Sequence, residues 1–553
     1  MRNTLILLAA LSISFSGMVA QADQEGEGGP ATIPLPAKQS LNVNIDKDGQ
    51  CSVDGKPVPL DKLSEVVARA AKGKPEGFGV KLIAAHECRF DRINQAIIEI
   101  SKTRVKKVVI AQLVREVQGK DSRPNVLLIL VDDLGYGDLS SYGAKDIDSP
   151  HIDRLVKDGM KMTQFYANCP VCSPTRAALL TGRFQDCVGV PGVIRTHARN
   201  SWGYLDPKAE LLPSVLKKAG YHTVIDGKWH LGLGEPNIPT ARGFDEFYGF
   251  LGDMMDDYYK HRRHGVNYMR LGTKEIDPKG HATDLFSDWA AEWLAKYKGD
   301  KPFFIYLAYN APHSPVQPPK EWLERYRKKH PDVPMKRAKF AAFVEHLDDG
   351  VGRVMAALKT SGKADNTLIF FTSDNGGAGY HGASNGILRG GKQDMFEGGI
   401  REPMCAVWPG HIKPGSQSDR VAMTMDLFPT ICEAAGAKFD KKIEGISILP
   451  TLLGKPQPPE DRYLFWVRLE GGRRYNGKPY YAVRHGDWKL LQNAPGQPYQ
   501  LFNIKEDISE KTDQAKEHPE IFNRLKKALD EHIKACKSVP WQAPGGVGPG
   551  ELQ

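Results

Sequence analysis

The sequence predicts an α/β protein in which helices cover both faces of a β-sheet, with a small separate α/β domain before it. Three observations lead to this fold class. Four apolar runs each stop at a polar cluster, helical patterns lie between them, and a hairpin followed by helix–strand–helix–strand precedes them. At 553 residues the chain is long enough for several domains, each with its own core.

The N-terminus predicts a secretory signal peptide over residues 1–22. Arg2 supplies the basic start, Thr4 to Ala20 is an apolar stretch, and Ala20-Gln21-Ala22 matches a cleavage site. The alternative is an uncleaved membrane anchor, for which the stretch is short. We therefore expect a periplasmic or secreted protein, with residues 23–40 as a linker.

Residues 41–114 predict a compact domain of alternating strands and helices. Expected strands begin at Leu41, Cys51, Val80 and Val105, and the helices cover 59–71 and 89–103. This order resembles the periplasmic domain of the ExbD and TolR transport proteins. The apolar stretch before it contains no acid, unlike the membrane helix of that family. A proton-driven motor is therefore not expected. The default expectation is an accessory domain with no activity of its own, and a folded spacer, a dimerisation module or an envelope-binding module stay open.

From residue 123 the sequence changes to apolar strands and helices in alternation. Such apolar runs are typical of parallel strands that are buried on both faces. The strands are expected at Val126–Val131, Tyr221–Ile225, Phe303–Tyr309 and Leu368–Thr372, and the helices at Ile152–Met160, Leu212–Ala219, Thr283–Lys296 and Phe343–Ser361.

A polar cluster follows each of the four strands. These clusters are Asp132-Asp133, the segment from Asp226 to His230, the segment from Asn310 to His313, and Asp374-Asn375. Ligands of open α/β sheets bind beyond the carboxyl ends of the strands, so we expect the clusters to converge. Taken alone, each pair is an ordinary turn after a strand.

The segment from Cys172 to Arg183, CSPTRAALLTGR, is the most specific motif of the chain. It resembles the signature of type I sulfatases, in which the Cys of Cys-x-Pro-x-Arg is oxidised to formylglycine. A buried thiol before a helix would be the ordinary interpretation of a lone Cys-x-Pro-x-Arg. Gly227-Lys228-Trp229-His230 and Gly391-Lys392, followed by Glu397 to Pro403, are also similar to family elements.

The resemblance covers about residues 123–537 and implies an alkaline-phosphatase-like α/β fold, a mixed sheet sandwiched by helices. It assigns 123–440 to a catalytic domain, 441–538 to a small antiparallel α+β subdomain with a closing helix, and leaves 539–553 as a disordered tail. Where the family commonly has an apolar residue before the final Pro of its Lys392-containing element, this chain has Glu402. We expect that difference to affect packing.

The same resemblance implies the site residues. The metal ligands would be Asp132, Asp133, Asp374, Asn375 and the modified Cys172. Oxygen ligands of this kind suit Ca²⁺ or Mg²⁺, and the family favours Ca²⁺. The catalytic residues would be Cys172, Arg176, Lys228, His230, His313 and Lys392.

In the implied mechanism, the hydrated aldehyde at position 172 attacks sulfur after Asp374 removes its proton. His313, with Lys392, protonates the departing oxygen, and His230 assists release of sulfate. Arg176 and Lys228 hold diol and sulfate oxygens. The implied partners are a sulfated carbohydrate and a formylglycine-generating enzyme.

Two other functions remain open at this stage. A phosphodiester or phosphonate hydrolase of the same superfamily would share the core and sometimes the formylglycine motif. A non-catalytic envelope-binding protein would use the N-terminal domain and an inert hydrolase domain. The composition says little about the substrate, because the net charge of +9 is modest. The chain has no run of Lys and Arg, so no nucleic-acid partner is expected.

Two further features carry expectations of their own. The segment from Met254 to Gly265 clusters Asp, Tyr, Arg and His, and is a candidate substrate-contact loop, against the alternative of an exposed charged loop. Of the eight cysteines, Cys51 and Cys88 are a plausible disulfide, but connectivity cannot be read from the sequence and free thiols are an equal alternative.

Overall fold

The structure is a computed structural model that describes residues 40–536 with gaps. The residues left out within this range are 47, 75–77, 85–89, 104, 106, 111–122, 198–200, 202, 459–460 and 471–476, and the side chains of 90, 91, 107, 109 and 110. The expected signal peptide, linker and C-terminal tail, and the expected pairing with Cys88, lie outside the described residues. The chain divides into two compact units, Met1–Lys120 and Asp121–Gln553.

The first unit is a five-stranded sheet with two α-helices. Its strands run in the order β3-β2-β1-β4-β5, with β1, β4 and β5 parallel and β1, β2 and β3 antiparallel. Alternate residues of β1, among them Val43 and Ile45, are buried against Val67 of the first helix. The elements are β1 Ser40–Ile45, β2 Cys51–Val53, β3 Lys56–Val58, the 3₁₀ turn Leu60–Lys62, α1 Leu63–Ala71, β4 Gly79–Ala84, α2 Phe90–Ser101 and β5 Lys107–Ile110.

The second unit contains an eleven-stranded mixed sheet. Its central strands are β9, β8, β14, β6 and β15, all parallel, and β16 and β7 continue it in antiparallel pairs. The strands are β6 Asn125–Val131, β7 Met160–Tyr166, β8 His222–Lys228, β9 Glu246–Phe250, β12 Met269–Leu271, β13 Lys274–Glu275, β14 Phe303–Ala308, β15 Thr367–Ser373, β16 Arg401–Val407, β17 Ser416–Ser418 and β18 Ala422–Met423; β10 Arg262–Arg263 and β11 Val266–Asn267 form a separate hairpin.

Helices bury both faces of this sheet. In β6, Val126, Leu128 and Leu130 belong to one apolar cluster, whereas Leu127 and Ile129 belong to the cluster on the opposite face. This two-sided burial explains why the strand is apolar at every position from Val126 to Val131. The helices are α3 Pro150–Asp158, α4 Cys172–Thr181, α5 Leu212–Lys218, α6 Ala282–Lys296, α7 Lys320–Lys329, α8 Met335–Thr360, α9 Glu397–Ile400, α10 Leu427–Ala434 and α11 Leu449–Leu452, with 3₁₀ turns at Ser140–Tyr142, Gln185–Val188, Pro239–Arg242, Ala364–Asn366, Gly379–His381 and Thr424–Asp426.

A four-stranded antiparallel sheet and a long helix complete the second unit. Leu525 and Leu529 of the helix pack on Val483, Leu490 and Leu501 of the sheet. A disulfide joins Cys187 to Cys536, the last residue of the helix. The elements are β19 Tyr463–Leu469, β20 Pro479–His485, β21 Trp488–Gln492, β22 Gln500–Asn503 and α12 Pro519–Cys536.

The α/β fold class is confirmed, with differences at element boundaries. The sequence predicts that this strand ends at Ile225, but β8 continues through Lys228. Asp226 and Lys228 therefore lie within the strand. The helix expected from Phe343 begins at Met335, directly after Pro334. Pro is well suited to precede a helix. The first turn of this helix is mostly polar, so the apolar periodicity that marks a helix is visible in the sequence only further along.

The N-cap of α6 predicts a pH-dependent stability. His281 Nδ1 accepts the Thr283 N–H at 3.2 Å, and its Nε2 donates to the Gln317 carbonyl at 2.9 Å, so only the neutral ring makes both bonds. Burial, and then the neighbouring His346, lower the pKa of His281 to about 4. The unfolded chain binds this proton near its ordinary pKa of about 6.5.

This contribution to stability is therefore complete above pH 6.5 and is lost as the pH falls toward 4. We expect the free energy of unfolding to decrease by about 3 kcal/mol more in the wild type than in His281→Asn over this range. Urea unfolding of both proteins at several pH values checks this. Parallel pH profiles of the two proteins would contradict it.

Candidate active site

The predicted site residues meet at the carboxyl edge of the parallel strands. Asp132 and Asp133 follow β6, Asp374 and Asn375 follow β15, and Lys228 ends β8. Cys172 is the first residue of α4. Among the predicted site residues, all except Lys392 and His313 are at most 3% exposed. Lys392 and His313 are largely buried. The convergence expected from the strand ends is present.

Cys172 lies in the middle of this group. Its Sγ is 3.3 Å from Asp132 Oδ1 and 3.8 Å from Lys392 Nζ. Burial, followed by the charge of Asp132, raises the pKa of the Cys172 thiol well above its usual value. A neutral buried thiol is a poor nucleophile, so this environment does not suit thiolate catalysis.

Arg176 lies one turn after Cys172 on α4, on the same face of the helix. Its guanidinium donates to Asp374 Oδ2 through Nε at 3.0 Å and Nη2 at 2.7 Å. Two more cations approach the carboxylates: Lys228 Nζ is 2.5 Å from Asp132 Oδ2, and Lys392 Nζ is 2.7 Å from Asp133 Oδ1. The three cations thus surround the carboxylates and the thiol.

The oxygen ligands fit a hard divalent cation. One ligand atom each from Asp132, Asp133, Cys172 and His313 lies within 4.8 Å of the others. Asn375 Nδ2 donates to Asp133 Oδ1 at 2.8 Å, while its buried Oδ1 has no hydrogen-bond partner among the described residues. A buried amide oxygen without a donor is an available ligand, and carboxylate and amide oxygens are what Ca²⁺ and Mg²⁺ bind.

The two innermost carboxylates titrate differently. Burial disfavours the charge of Asp132, but Lys228, His313 and Arg176 outweigh it and hold the pKa well below the usual range. Burial and the charge of Asp132 raise the pKa of Asp374 to about 7. One carboxylate therefore stays ionised while its neighbour can exchange a proton near neutral pH.

The two candidate histidines present one ring nitrogen each. His313 Nδ1 donates to the Ser314 carbonyl at 2.6 Å, so Nε2, which is 3.6 Å from Asp133 Oδ2, is the atom that can exchange a proton. His230 Nε2 donates to the Ile194 carbonyl at 2.9 Å. Burial, and then nearby Lys392 for His313 and Lys228 for His230, lower the pKa of both rings.

Backbone strain concentrates around the site. Asp133, His230 and Gln393, the residue after Lys392, adopt positive φ values of 67°, 61° and 82°. Non-glycine residues rarely adopt this conformation, and it persists where the surroundings enforce it, often at functional sites. Two further examples, His261 and His264, fall in the segment from Met254 to Gly265.

Three residues make or lack contacts near the site in ways that the sequence did not predict, although each lies in a segment that the sequence singled out. Tyr258 is buried, and its hydroxyl donates to the carbonyl oxygens of Asn310 and His313 at 2.8 and 2.9 Å. Ser173 Oγ accepts the Ile194 N–H at 3.1 Å. Neither residue carries a periodic or spacing signal. Glu402 is buried with neither carboxylate oxygen hydrogen-bonded within the described ranges, and burial raises its pKa well above normal.

Comparison with known proteins decides the family. The Sulfatase family model matches residues 124–437, and the model of the C-terminal part of N-sulphoglucosamine sulphohydrolase matches residues 391–535. This chain belongs to the sulfatase family. The sulfatase match contains all of the candidate site residues, from Asp132 to Lys392.

Individual sulfatases agree with this assignment. The chain is 36% identical over 374 residues to N-acetylgalactosamine-6-sulfatase of Homo sapiens, covering 63% of this chain and 69% of the relative. It is 34% identical over 402 residues to arylsulfatase A of Bos taurus, covering 66% and 74%. The solved structure of Ps i-CgsB in complex with k-i-k-neocarrahexaose has a TM-score of 0.69 and 34% identity, over 76% of this chain and 94% of that one.

The sulfatase is therefore a sulfuric ester hydrolase with the alkaline-phosphatase-like α/β fold. The large mixed sheet and the small antiparallel C-terminal sheet are the two parts of that fold.

Proposed function

We propose that this sulfatase removes sulfate from a sulfated carbohydrate, using formylglycine at position 172 and one Ca²⁺ ion. The observation that carries the proposal is the buried cluster in which Cys172 contacts Asp132 while Arg176, Lys228 and Lys392 surround them. A sulfate ester has three anionic or polar oxygens, and its hydrolysis requires cations around them. The cluster offers three.

Asp132, Asp133, Asp374 and Asn375 would hold the cation, together with the modified residue 172. When bound, Ca²⁺ supplies positive charge that polarises the sulfate oxygens and lowers the pKa of a coordinated hydroxyl. The flexible coordination of Ca²⁺ suits ligands that come from two different strand ends better than the strict octahedron of Mg²⁺ does.

Oxidation of Cys172 by a formylglycine-generating enzyme would replace the thiol with an aldehyde, whose hydrate supplies the oxygen nucleophile. The high pKa of the unmodified thiol supports this requirement, because a neutral buried thiol would not attack sulfur efficiently. Asp374 would take the proton from the nucleophile, since its carboxylate lies close enough to position 172 to act on the charge of the Cys172 thiol.

The remaining residues bind oxygens and move protons. Arg176 and Lys228 are placed to bind sulfate and nucleophile oxygens, as their present carboxylate partners indicate. His313 Nε2 and Lys392 Nζ lie on the Asp133 side, where they would protonate the departing alcohol oxygen. His230 would accept a proton at Nδ1 during sulfate release, because its Nε2 is committed to Ile194.

A carbohydrate substrate is supported by the relatives. The N-acetylgalactosamine-6-sulfatases are 36% identical to this chain in Homo sapiens, and the Ps i-CgsB structure holds a neocarrahexaose. Export through a signal peptide over residues 1–22 is part of the same proposal, because an exported enzyme can reach sulfated glycans outside the cell. Of the residues that the structure describes, none belong to a helix long and apolar enough to cross a bilayer.

The N-terminal unit is proposed as an envelope-binding or self-association module. Its parallel β1-β4-β5 core with two helices is compatible with the ExbD/TolR resemblance noted in the sequence. The experiment is size-exclusion chromatography with light scattering of the full chain and of a chain beginning at residue 121. A change from dimer to monomer, or loss of co-sedimentation with peptidoglycan, would support the proposal.

The catalytic proposal is tested with matched esters. We expect release of 4-nitrophenol from 4-nitrophenyl sulfate to exceed its release from 4-nitrophenyl phosphate and from methyl 4-nitrophenyl phosphate by at least about 10²-fold in kcat/KM. Faster hydrolysis of either phosphate ester would favour a phosphohydrolase. No hydrolysis of any ester by protein carrying formylglycine would favour a non-catalytic role.

The proposed role of His313 predicts a dependence on the leaving group. His313→Ala should lower kcat/KM by about 10²- to 10⁴-fold for a sulfated sugar, because an alcohol leaving group needs a proton. The loss should be much smaller for 4-nitrophenyl sulfate, whose leaving group is stable as an anion. His330→Ala, a change in a histidine outside the site, is the control. An equal loss on both substrates would contradict the acid role.

A further inference from the structure

The segment from Met254 to Gly265, called here the rim segment, contacts the active site through Tyr258 and follows a second contact made by Leu251. It begins just after Leu251, whose carbonyl accepts the His230 N–H at 3.3 Å. Further along, the Tyr258 hydroxyl donates to the His313 carbonyl at 2.9 Å. Both candidate proton-transfer residues therefore have backbone contacts with this part of the chain, which the proposed mechanism does not otherwise use.

Ion pairs hold the end of the rim segment in one conformation. Arg263 Nε is 3.0 Å from Asp253 Oδ1, and its Nη1 is 2.7 Å from Asp256 Oδ1. The second oxygen of Asp256 accepts the backbone N–H of His264. The Asp256 carboxylate is thus already compensated, and His264 adopts a φ of 51°. A residue held in this uncommon conformation indicates a constrained position.

His264 lies against a second histidine, His197, which belongs to a different loop. The rings of His264 and His197 are 4.6 Å apart, centroid to centroid, and both residues are exposed. Neither imidazole has a hydrogen-bond partner within the described portion of the chain. His197 is three residues after Ile194, the carbonyl partner of His230, so its Cα is within about 10 Å of that contact.

We propose that His197 and His264 together bind an acidic group on the sugar next to the sulfated one, so that the sulfatase prefers polyanionic glycans. An imidazole donates one N–H when neutral and two when protonated, so a pair can bind a carboxylate or sulfate oxygen in either form. The nearby carboxylates are already engaged in ion pairs, because Arg263 pairs with both Asp253 and Asp256, and Arg195 pairs with Glu470. This inference rests on the proposed function for its substrate class.

The test compares substrates that differ only in the second sugar. Three disaccharides carry the same sulfated sugar next to a neutral hexose, a hexuronic acid or a sulfated hexose, and 4-methylumbelliferyl sulfate has no second sugar. We expect His197→Ala/His264→Ala to raise KM about tenfold for one or both acidic disaccharides. KM for the neutral disaccharide and the aryl sulfate should stay within about twofold. The acidic disaccharide that responds identifies the group as carboxylate or sulfate.

His411→Ala is the matched control. His411 is also exposed, and its ring stacks on that of Trp408 with the centroids 4.0 Å apart. It follows β16, however, at the edge of the sheet opposite to the site. Dissociation constants measured by calorimetry with Cys172→Ala protein give a readout without turnover. If the acidic disaccharides bind in a way that depends on His197 and His264 but are not cleaved by the active protein, the proposed reaction is rejected and the binding role of the two histidines is supported. An equal change for all four compounds, or no change for the acidic ones, would overturn the pair.

Discussion

Cys172→Ser is expected to lower kcat/KM for sulfate esters by about 10⁴-fold or more. Ser places a hydroxyl at the start of α4, but it has no thiol for the enzyme that oxidises Cys to formylglycine. A sulfated Ser would also need a second difficult hydrolysis. Losses of this size are typical when a nucleophile is removed. The measurement is kcat/KM on 4-nitrophenyl sulfate, with mass spectrometry of the variant after exposure to substrate.

Two observations would accompany this loss if the account is right. The variant should gain the mass of one sulfate group in at most one turnover, because Arg176 and Lys228 remain in place. The control Cys432→Ala removes another buried thiol, in α10, and should keep nearly full activity. Retention of a tenth of the wild-type activity by Cys172→Ser would contradict a formylglycine mechanism.

Asp132→Asn is expected to abolish activity and also to destabilise the protein. The carboxylate is fully buried with Lys228 Nζ at 2.5 Å and Arg176 Nη2 at 3.5 Å, so the change leaves buried cations without their partner. Breaking a buried ion pair on one side typically costs about 3–5 kcal/mol. We expect a lower free energy of unfolding, loss of bound Ca²⁺ in elemental analysis, and at least about 10³-fold lower kcat/KM.

Asp426→Asn separates the structural effect from the metal effect. Asp426 is also fully buried and forms an ion pair with Arg462, but it belongs to the turn before α10. The Asp426→Asn variant should lose about as much free energy of unfolding as Asp132→Asn. Below its unfolding temperature it should keep its Ca²⁺ content and most of its activity. Normal Ca²⁺ content in Asp132→Asn would show that Asp132 is not a ligand.

The central strands were predictable because burial on both faces leaves a strong signal. Strand β6 is apolar from Val126 to Val131, since alternate residues enter two different apolar clusters. The same rule failed in β8, where Asp226 and Lys228 are buried within the strand. A charged residue inside a strand breaks the apolar run, so the sequence pattern ended the strand too early.

Site residues that follow strands were predictable for a geometric reason, because parallel strands bring their carboxyl ends to one edge. Lys392 lies outside this rule and was identified only through its family motif. Contacts made by irregular loops gave no sequence signal. The His197–His264 pair joins positions 67 residues apart through two loops, and the Cys187–Cys536 disulfide has a sequence separation of 349. Local periodicity carries no information on such pairings.

The central claim, a formylglycine nucleophile at position 172, is tested most directly by mass spectrometry of the peptide that contains this residue, on protein made in its native host. The account predicts a mass that corresponds to the aldehyde or its hydrate, on a peptide that also contains Arg176 or ends at it. An unmodified thiol in all of the active protein would contradict the account.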